Sequence, residues 1–340
     1  MMRSHSISQP RRAVSYAFIF TLSLVFAVAS ASSVSARPSH QLRRPSHHAY
    51  ERSALTRRHT LTRSAQRRWH VDAYHDPKVD VRAVNKKLEA FAKAHPKNVK
   101  LTALTHVSGE PLYRVDVMAA PQVGGNKGNK AKTKPTRPLR VLLSSGVHGN
   151  EPTGVYATLA LLGKILKDDH LRQRFFVTFI PMVNSSGLAA MTRKNARDQD
   201  INRSFIVGHQ TAEGRALTRS LGGERFDLSL DLHGAFREGF FLIRAKDDGT
   251  ISQRILSSMP SAALLAPAPG ESAVGPYELH SRGGATSNNP GTFKGFMSER
   301  STYSYTLEYP RRLASKRQLS GLLRLVGSAL NNVDRHGQRN

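Results

Sequence analysis

Residues 139–154, LRVLLSSGVHGNEPTG, decide the fold and contain the first candidate site residues. Residues 139–145 form a continuous apolar run that is typical of a buried strand. A glycine-rich turn with His148 and Glu151 follows, and a helical stripe comes next. That stripe consists of Val155, Leu159, Leu162 and Leu166. A strand, a turn and a helix in this order predict a parallel α/β unit, in which ligands bind beyond the carboxyl end of the strand.

The same alternation continues on both sides of this segment. Apolar runs predict further strands at 99–107, 113–119, 175–183, 226–232 and 303–309. Helical spacing of apolar residues predicts helices at 79–94 and at about 316–331. Strands that alternate with helices predict an α/β fold, here a single domain with a central mixed, mostly parallel sheet flanked by helices.

Basic residues far outnumber acidic residues in this chain. The 340 residues include 51 Lys and Arg against 24 Asp and Glu, a net charge of +27. Such a surface attracts anionic polymers, but it is equally compatible with a solvated basic protein that binds none of them. No base-reading motif is present and no aromatic residues interleave with the charges, so no specific nucleic acid is expected. A non-specific anionic cell-envelope polymer is a candidate partner of the basic segments.

The N-terminus has the pattern of an export signal. Arginines precede an apolar run at 13–31, and small-residue cleavage sites end at Ala31 and Ala36. Residues 1–36 are therefore predicted to be a signal peptide of a periplasmic or secreted protein. The alternative is an uncleaved membrane anchor, because the run is close to spanning length. The chain has no cysteine, so disulfides and cysteine metal ligands are excluded.

Two segments are too basic and too poor in aliphatic residues to contribute to a core. Residues 37–70 predict a disordered linker or pro-segment, and residues 122–138 predict a basic loop inserted between strands. The catalytic domain is then expected at 71–340.

His148 and Glu151 have the spacing of two metal ligands. Three residues apart in a turn, an imidazole and a carboxylate can converge on one ion, and zinc accepts both ligand types. His48 and Glu51 have the same spacing, but they lie in the basic linker with no strand before them. A third ligand, His233, ends the predicted strand in FDLSLDLHGA. The pattern predicts one Zn²⁺ per chain, while the alternative for each histidine alone is an ordinary hydrogen-bonded side chain.

Four motifs in order carry a family resemblance: HGNE at 148–151, RKNARDQDINRSF at 193–205, DLHG at 231–234 and YTLEYP at 305–310. Together they resemble the zinc carboxypeptidase family (carboxypeptidase A-like) and its aspartoacylase and succinylglutamate desuccinylase branch. The resemblance extends over about residues 74–330. It implies a zinc carboxypeptidase-like fold and hydrolysis of an amide bond.

The resemblance also implies roles for individual residues. His148, Glu151 and His233 match the zinc ligands, and Glu308 matches the catalytic glutamate. The remaining matches are Arg193 for polarising the scissile carbonyl, Asn202 and Arg203 for gripping a carboxylate, and Asp200 for hydrogen bonding to a ligand histidine. Without the family pattern the ordinary alternatives are favoured: Glu308 as a surface charge at the end of a strand, and Arg193, Arg197 and Arg203 as part of a generally basic surface.

The chain departs from the carboxypeptidase pattern at the tyrosine that usually precedes the catalytic glutamate. Thr286 stands near that place, and Tyr277 is the nearest tyrosine upstream. In the segment that sets side-chain preference, Phe293 would favour an apolar side chain and Lys294 an acidic one. The alternative for Lys294 is that it points to solvent.

Three functions are compatible with these observations. The first is an exported zinc metallocarboxypeptidase-like hydrolase that cleaves an amide next to a free carboxylate in a peptide or murein peptide. The second is a zinc-dependent deacylase of N-acyl amino acids. The third, from a different class, is a basic binding module with a degenerate hydrolase fold.

Overall fold

The computed structural model describes residues 78–121, 137–245, 247, 249–266, 273–274, 277–287 and 289–337. The predicted signal peptide, the basic segment at 37–70 and nearly all of the loop at 122–138 lie outside these residues and stay predictions. His48 and Glu51 lie outside them as well. Within the described part of the chain, no helix combines the length and the apolar character that crossing a membrane requires.

The helices in the described residues are α1 (Val81–Ala94), α2 (Thr153–Leu166), α3 (Asp169–Arg174), α4 (Ser185–Ala190), α5 (Ala212–Leu221), α6 (Thr250–Leu256), α7 (Phe293–Ser298) and α8 (Ser315–Gly337). Short 3₁₀ turns occur at Ile201–Arg203 and Ser261–Ala263. Side chains cap several helix starts. Asp80, for example, accepts a hydrogen bond of 3.0 Å from the backbone N–H of Ala83 at the start of α1.

The strands are β1 (Val99–Val107), β2 (Glu110–Val117), β3 (Leu139–Ser145), β4 (Phe175–Ile180), β5 (Phe226–Ala235), β6 (Phe241–Arg244), β7 (Ala273–Val274), β8 (Tyr277–Ser281), β9 (Gly284–Thr286) and β10 (Ser301–Pro310). They form one sheet in the order β1-β2-β4-β3-β5-β10-β6-β9-β8-β7. Its centre, β4-β3-β5-β10, is parallel throughout, and antiparallel pairs extend it on both sides. The predicted fold class is confirmed.

The predicted long elements are found with small shifts at their ends. The bounds of β1 and β3 agree with the prediction, while β2 begins three residues earlier than predicted, at Glu110. The reason is a two-residue hairpin turn in which Ser108 and Gly109 both have positive φ, 52° and 80°. The prediction missed the short strands β6–β9, because strands of two to five residues carry too little periodicity to be recognised.

Apolar residues cover both faces of the central strands. Along β3, Val141 and Leu143 belong to the core shared with α1, α2 and α8, whereas Leu142 belongs to a second core under α5 and α7. Successive side chains of a strand point to opposite faces, so both faces must be covered by helices. This double burial explains the continuous apolar run in the sequence.

The backbone of the turn after β3 is in direct contact with the backbone of α4. A Cβ atom at Gly149 would lie 1.9 Å from the carbonyl carbon of Gly187. Only glycine allows this approach, and the approach places His148 and Glu151 beyond the end of β3. By contrast, a Cβ atom at Gly163, within α2, would meet only the ring edge of Phe91 at 3.7 Å.

We expect Gly149→Ala to lower the free energy of unfolding by about 2 kcal/mol or more, since the backbone of α4 must move to relieve the overlap. The matched variant Gly163→Ala should raise it by roughly 0.5–1 kcal/mol, because alanine is the better helix residue and the space is open. Urea unfolding followed by circular dichroism measures both. Equal stability of Gly149→Ala and wild type would contradict the packing of this turn.

Candidate active site

Three neighbouring parallel strands end at the same edge of the sheet and bring the predicted site together. In the register of β5 and β10, His233 lies opposite Glu308. In the register of β3 and β5, Ser145 lies opposite Leu232, and His148 follows three residues beyond Ser145. The carboxyl edge of the sheet therefore carries both histidines and the glutamate. This is the position where open α/β sheets bind ligands.

The side chains of His148, Glu151 and His233 converge on one point. The Nδ1 atom of His148 lies 2.9 Å from Oε1 of Glu151, and the Nδ1 atom of His233 lies 3.0 Å from Oε2 of the same carboxylate. The two Nδ1 atoms are 3.1 Å apart. All three side chains are buried. The backbone N–H of Gly234 donates to Oε2 of Glu151 at 2.9 Å and fixes this carboxylate.

A carboxylate lies near the outer nitrogen of each imidazole. Oδ2 of Asp231 is 2.7 Å from Nε2 of His233, and Oδ1 of Asp200 is 3.4 Å from Nε2 of His148. A carboxylate holds the proton of a neutral imidazole on the nitrogen that faces it. Asp231 does this for His233, so the Nδ1 lone pair of His233 faces the carboxylate of Glu151 and Nδ1 of His148. Nε2 of His148 has no hydrogen-bond partner among the described residues. Such a cluster of acceptors suits a cation, so the three residues fit a metal ion.

Asp231 is a site residue that the sequence reasoning missed. Its second oxygen, Oδ1, accepts a hydrogen bond of 2.7 Å from the hydroxyl of Ser144 on β3. The signal was present, because residues two apart in a strand share a face and the motif DLHG puts Asp231 beside His233. The contact between Asp231 and Ser144 could not be predicted from the sequence, because it depends on the register between β3 and β5.

The charges of this cluster shift each other's pKa. Burial acts to raise the pKa of Glu151, but the two imidazoles outweigh it and hold the pKa well below its ordinary value. Burial acts to lower the pKa of His233, but the charge and hydrogen bond of Asp231 outweigh it and raise the pKa well above the ordinary value. The same balance, with Glu151 as the main opposing charge, raises the pKa of His148. Binding of a metal ion therefore releases protons from the imidazoles.

Glu308 is buried beside this cluster with one oxygen unoccupied. Among the described residues, its Oε2 atom has no hydrogen-bond partner. Burial raises the pKa of Glu308 to about 7; the charge of His233 opposes this effect and that of Glu151 adds to it. A free, buried carboxylate oxygen at the edge of a metal site is placed to accept a proton from water.

The loop between α4 and α5 brings Arg193 to the cluster. Its guanidinium forms an ion pair with Oδ2 of Asp200, with distances of 2.9 Å and 3.1 Å. Its Nη1 atom lies 3.4 Å from Nδ1 of His148. Asp200 thus lies between the predicted arginine and the predicted metal ligand, and it fixes the orientation of the arginine.

Asn202 and Arg203 lie on the next turn of the same loop. The backbone N–H of Asn202 donates to Oδ1 of Asp200 at 3.0 Å, and its side-chain oxygen accepts from the backbone N–H of Phe293 at 2.9 Å. Arg203 donates to the carbonyl of Asn202 at 2.7 Å. The amide group of Asn202 is therefore oriented with its oxygen toward α7.

A buried pair that the sequence did not reveal braces this loop. The side-chain amide of Asn195 donates to both oxygens of Glu213 on α5, at 3.2 Å and 3.3 Å. The side-chain oxygen of Asn195 accepts hydrogen bonds from the backbone N–H groups of Arg197 and Gln199, each at 3.0 Å. The brace fixes the turn that precedes Asp200.

These side chains surround one cleft with a volume of about 370 Å³. Residues lining it include His148, Glu151, Arg193, Asn202, Arg203, His233, Lys294 and Glu308. Lys294 is only 4% exposed, so the alternative that it points to solvent is wrong. Among the described residues that line the cleft there is no tyrosine.

Comparison with known proteins agrees with the sequence motifs. Residues 138–263 match the model of the succinylglutamate desuccinylase/aspartoacylase catalytic domain. A succinylglutamate desuccinylase from Pseudomonas putida is 32% identical over 148 residues, which are 38% of this chain and 42% of that protein. The chain spans less than half the length of the curated relatives it matches, with shares between 13% and 42%.

Solved structures show the same fold. A proposed metallopeptidase from Shewanella amazonensis superposes with a TM-score of 0.60 at 19% identity, over 74% of this chain and 92% of the other. A metallo-carboxypeptidase from Burkholderia cenocepacia gives a TM-score of 0.53 at 14% identity, over 74% and 69%.

The resemblance to zinc carboxypeptidases and the related deacylases is confirmed. The relatives named here are hydrolases. The segment that matches the desuccinylase/aspartoacylase model contains the three candidate metal ligands, and it ends before Glu308.

We expect Asp231→Asn to weaken metal binding by about 10- to 100-fold, since the amide no longer holds the proton of His233 on Nε2. Asp227→Asn is the matched control, because Asp227 lies on the same strand and pairs with Arg137 instead. Competition of each purified protein with a chromophoric chelator measures the affinity. If both variants bind metal as tightly as wild type, Asp231 does not orient a ligand.

Proposed function

We propose that this protein is a zinc-dependent hydrolase, with one Zn²⁺ per chain, that cleaves an amide bond next to a free carboxylate in a peptide or murein peptide. The observation that carries the proposal is the placement of Glu308 beside His233. It puts a free carboxylate next to a set of two imidazoles and one carboxylate, the ligand set of catalytic zinc sites that keep an open position.

Each residue of the cleft has a defined task in this reaction. Bound zinc would lower the pKa of a coordinated water to about 7 and polarise the substrate carbonyl. Glu308 accepts the proton of the attacking water and returns it to the leaving amine. Arg193, held by Asp200, stabilises the negative charge that develops on the carbonyl oxygen. Asn202 and Arg203 hold the free carboxylate of the substrate.

A second candidate function is deacylation of N-acyl amino acids. The match of residues 138–263 to the desuccinylase/aspartoacylase domain favours it. Both reactions use the same ligands and the same base, and they differ in what lies on the acyl side of the bond. Release of C-terminal amino acids from peptides supports the first function, and release of acyl groups from N-acetylaspartate or N-succinylglutamate supports the second.

The proposal includes export. The support for it is that residues 1–36 have the pattern of a signal peptide, which favours a location in the periplasm or outside the cell. Retention as an uncleaved anchor is the alternative. Mass spectrometry of the mature N-terminus distinguishes them and also shows whether residues 37–70 are removed. The net charge of +27 supports non-specific attraction to anionic cell-envelope polymers.

Glu308→Gln should lower kcat by about 10²- to 10⁴-fold, because the amide cannot accept a proton from water. Zinc content should stay at about one per chain, since Glu308 is not among the three ligands. Turnover on a panel of peptides and N-acyl amino acids, together with metal analysis, measures both quantities.

His233→Ala is the matched comparison, since it removes a ligand and should lower both zinc content and turnover. Unchanged turnover in Glu308→Gln would refute the mechanism. Absence of zinc from the wild-type protein, together with absence of turnover on the whole panel, would instead favour a binding module with a degenerate hydrolase fold.

A further inference from the structure

An apolar turn projects from the loop that follows Arg203. The backbone N–H of His209 donates to the carbonyl of Ile206 at 3.1 Å, and Gly208 allows this turn with a φ of 87°. Val207 at the tip is 90% exposed, and Ile206 is 45% exposed. Turn tips usually carry glycine, proline or short polar residues. Two neighbouring exposed aliphatic side chains at this place therefore require an explanation.

The base of this turn is anchored in the core. The backbone N–H of Phe205 donates to the carbonyl of Gly291 at 3.1 Å. The ring of Phe205 is buried, and its centroid lies 5.1 Å from that of Phe293 and 6.0 Å from that of Phe296, both on α7. The folded structure therefore presents Val207 to solvent from a fixed base.

A groove with a volume of about 430 Å³ lies beside the turn. Val207 and the ring of Phe296 form part of its walls. Three arginines also line it: Arg215, Arg219 and Arg300. Arg215 and Arg219 are both exposed and lie one helical turn apart on α5. The apolar tip and three positive charges thus belong to one surface, which we call the basic groove.

The hydrogen-bond partners of the groove arginines are neutral. Arg215 donates to the carbonyl of Gln210 at 2.6 Å, and Arg300 donates to the carbonyl of Phe296 at 2.9 Å. Within the described part of the chain, the ion pairs that arginines form do not include Arg215, Arg219 or Arg300. The three charges therefore remain available to a partner outside the protein.

Repulsion between like charges acts on the same surface. Burial lowers the pKa of Arg300, and the charge of Arg225 lowers it further, while the charge of Glu299 acts in the opposite direction. An anion that approaches the basic groove offsets this repulsion. The charges of this face therefore favour a negatively charged partner.

The apolar tip distinguishes an anionic bilayer from a soluble anionic polymer. The arginines by themselves suit either partner. A polymer of phosphates or carboxylates offers nothing apolar to Ile206 and Val207. The headgroup region of a bilayer, in contrast, accepts aliphatic side chains beneath a layer of negative charge. Of these two partners, only the bilayer satisfies both halves of the surface.

We propose that the basic groove docks on an anionic lipid bilayer, with Val207 inserted among the headgroups and the three arginines paired with lipid phosphates. The inference concerns a surface outside the catalytic cleft and does not depend on the proposed reaction. It has a consequence for the cleft, because Arg203 lines it and lies only four residues before Val207. Four residues span at most about 14 Å. Docking would hold this wall of the cleft near the membrane.

The absence of cysteine from the chain allows a local test. Val207→Cys, labelled with the polarity-sensitive fluorophore nitrobenzoxadiazole, should shift its emission to shorter wavelength on vesicles of phosphatidylglycerol, because the label leaves water for the headgroup layer. Vesicles of phosphatidylcholine, which carry no net charge, should give little shift. A local probe is needed because residues 37–70 are strongly basic and attract anionic lipids themselves.

Lys86→Cys with the same label is the matched control. Lys86 is exposed on α1, whose core lies on the opposite face of the sheet from the core under α5. Its emission should stay the same on both kinds of vesicle. A shift at both positions would show that the protein binds without orientation, and it would overturn the proposal.

Charge removal tests the arginines. Arg215→Gln combined with Arg219→Gln should weaken co-sedimentation with phosphatidylglycerol vesicles by about 10- to 30-fold at low salt, since each arginine near an anionic surface contributes about fivefold. Lys86→Gln combined with Lys93→Gln removes the same charge from exposed positions on α1 and should weaken it by less than about threefold. Val207→Ser should weaken it by about threefold or more, because the apolar insertion is lost.

The outcomes identify the occupant of the groove. Equal losses in the two double variants would assign binding to the general charge of the protein and overturn the proposal. Losses confined to the groove arginines, with no effect of Val207→Ser and no emission shift at position 207, would indicate a soluble anionic polymer instead. Dimerisation that Val207→Ser abolishes, without a shift on vesicles, would indicate a second copy of the chain. The emission shift decides even where the arginine variant does not fold.

Discussion

Two imidazole nitrogens and one carboxylate lie within about 3 Å of each other, and this arrangement constrains the rest of the site. Each of these atoms is a hydrogen-bond acceptor when the outer nitrogens hold the protons. Three such acceptors in a buried space repel each other unless a cation lies between them. Asp231, 2.7 Å from Nε2 of His233, holds the proton on that outer nitrogen and so keeps the inner nitrogen of His233 available. The site therefore extends beyond its three candidate metal ligands.

The parallel centre of the sheet makes this convergence possible. Strands β3, β5 and β10 run side by side in the same direction, so their carboxyl ends meet at one edge. The backbone of these strands is fixed by hydrogen bonds on both sides, which gives His233 and Glu308 rigid positions. His148 and Glu151 lie on a turn instead, and the close contact between Gly149 and Gly187 holds that turn in place.

The loop between α4 and α5 supplies Arg193 and Arg203, charged groups that line the cleft. It has little regular structure, and hydrogen bonds between side chains and backbone take over the role of the sheet. Asn195 and Glu213 brace its first half, and the contact between Asn202 and Phe293 ties its middle to α7. Through α7 the same loop is connected to Lys294.

The sequence by itself determined the α/β class, the long strands and helices, and the three converging ligands, because continuous apolar runs and short ordered motifs depend on neighbours in the chain. A family resemblance also marked Glu308, Arg193, Asn202 and Arg203 as candidates, and the comparisons confirm the fold that this resemblance implied. Only the tertiary structure decided the role of Ser144 behind Asp231, the brace of Asn195 and Glu213, and the burial of Lys294. Those contacts join residues that are distant in sequence, and they depend on strand register and on helix packing, which no local pattern encodes.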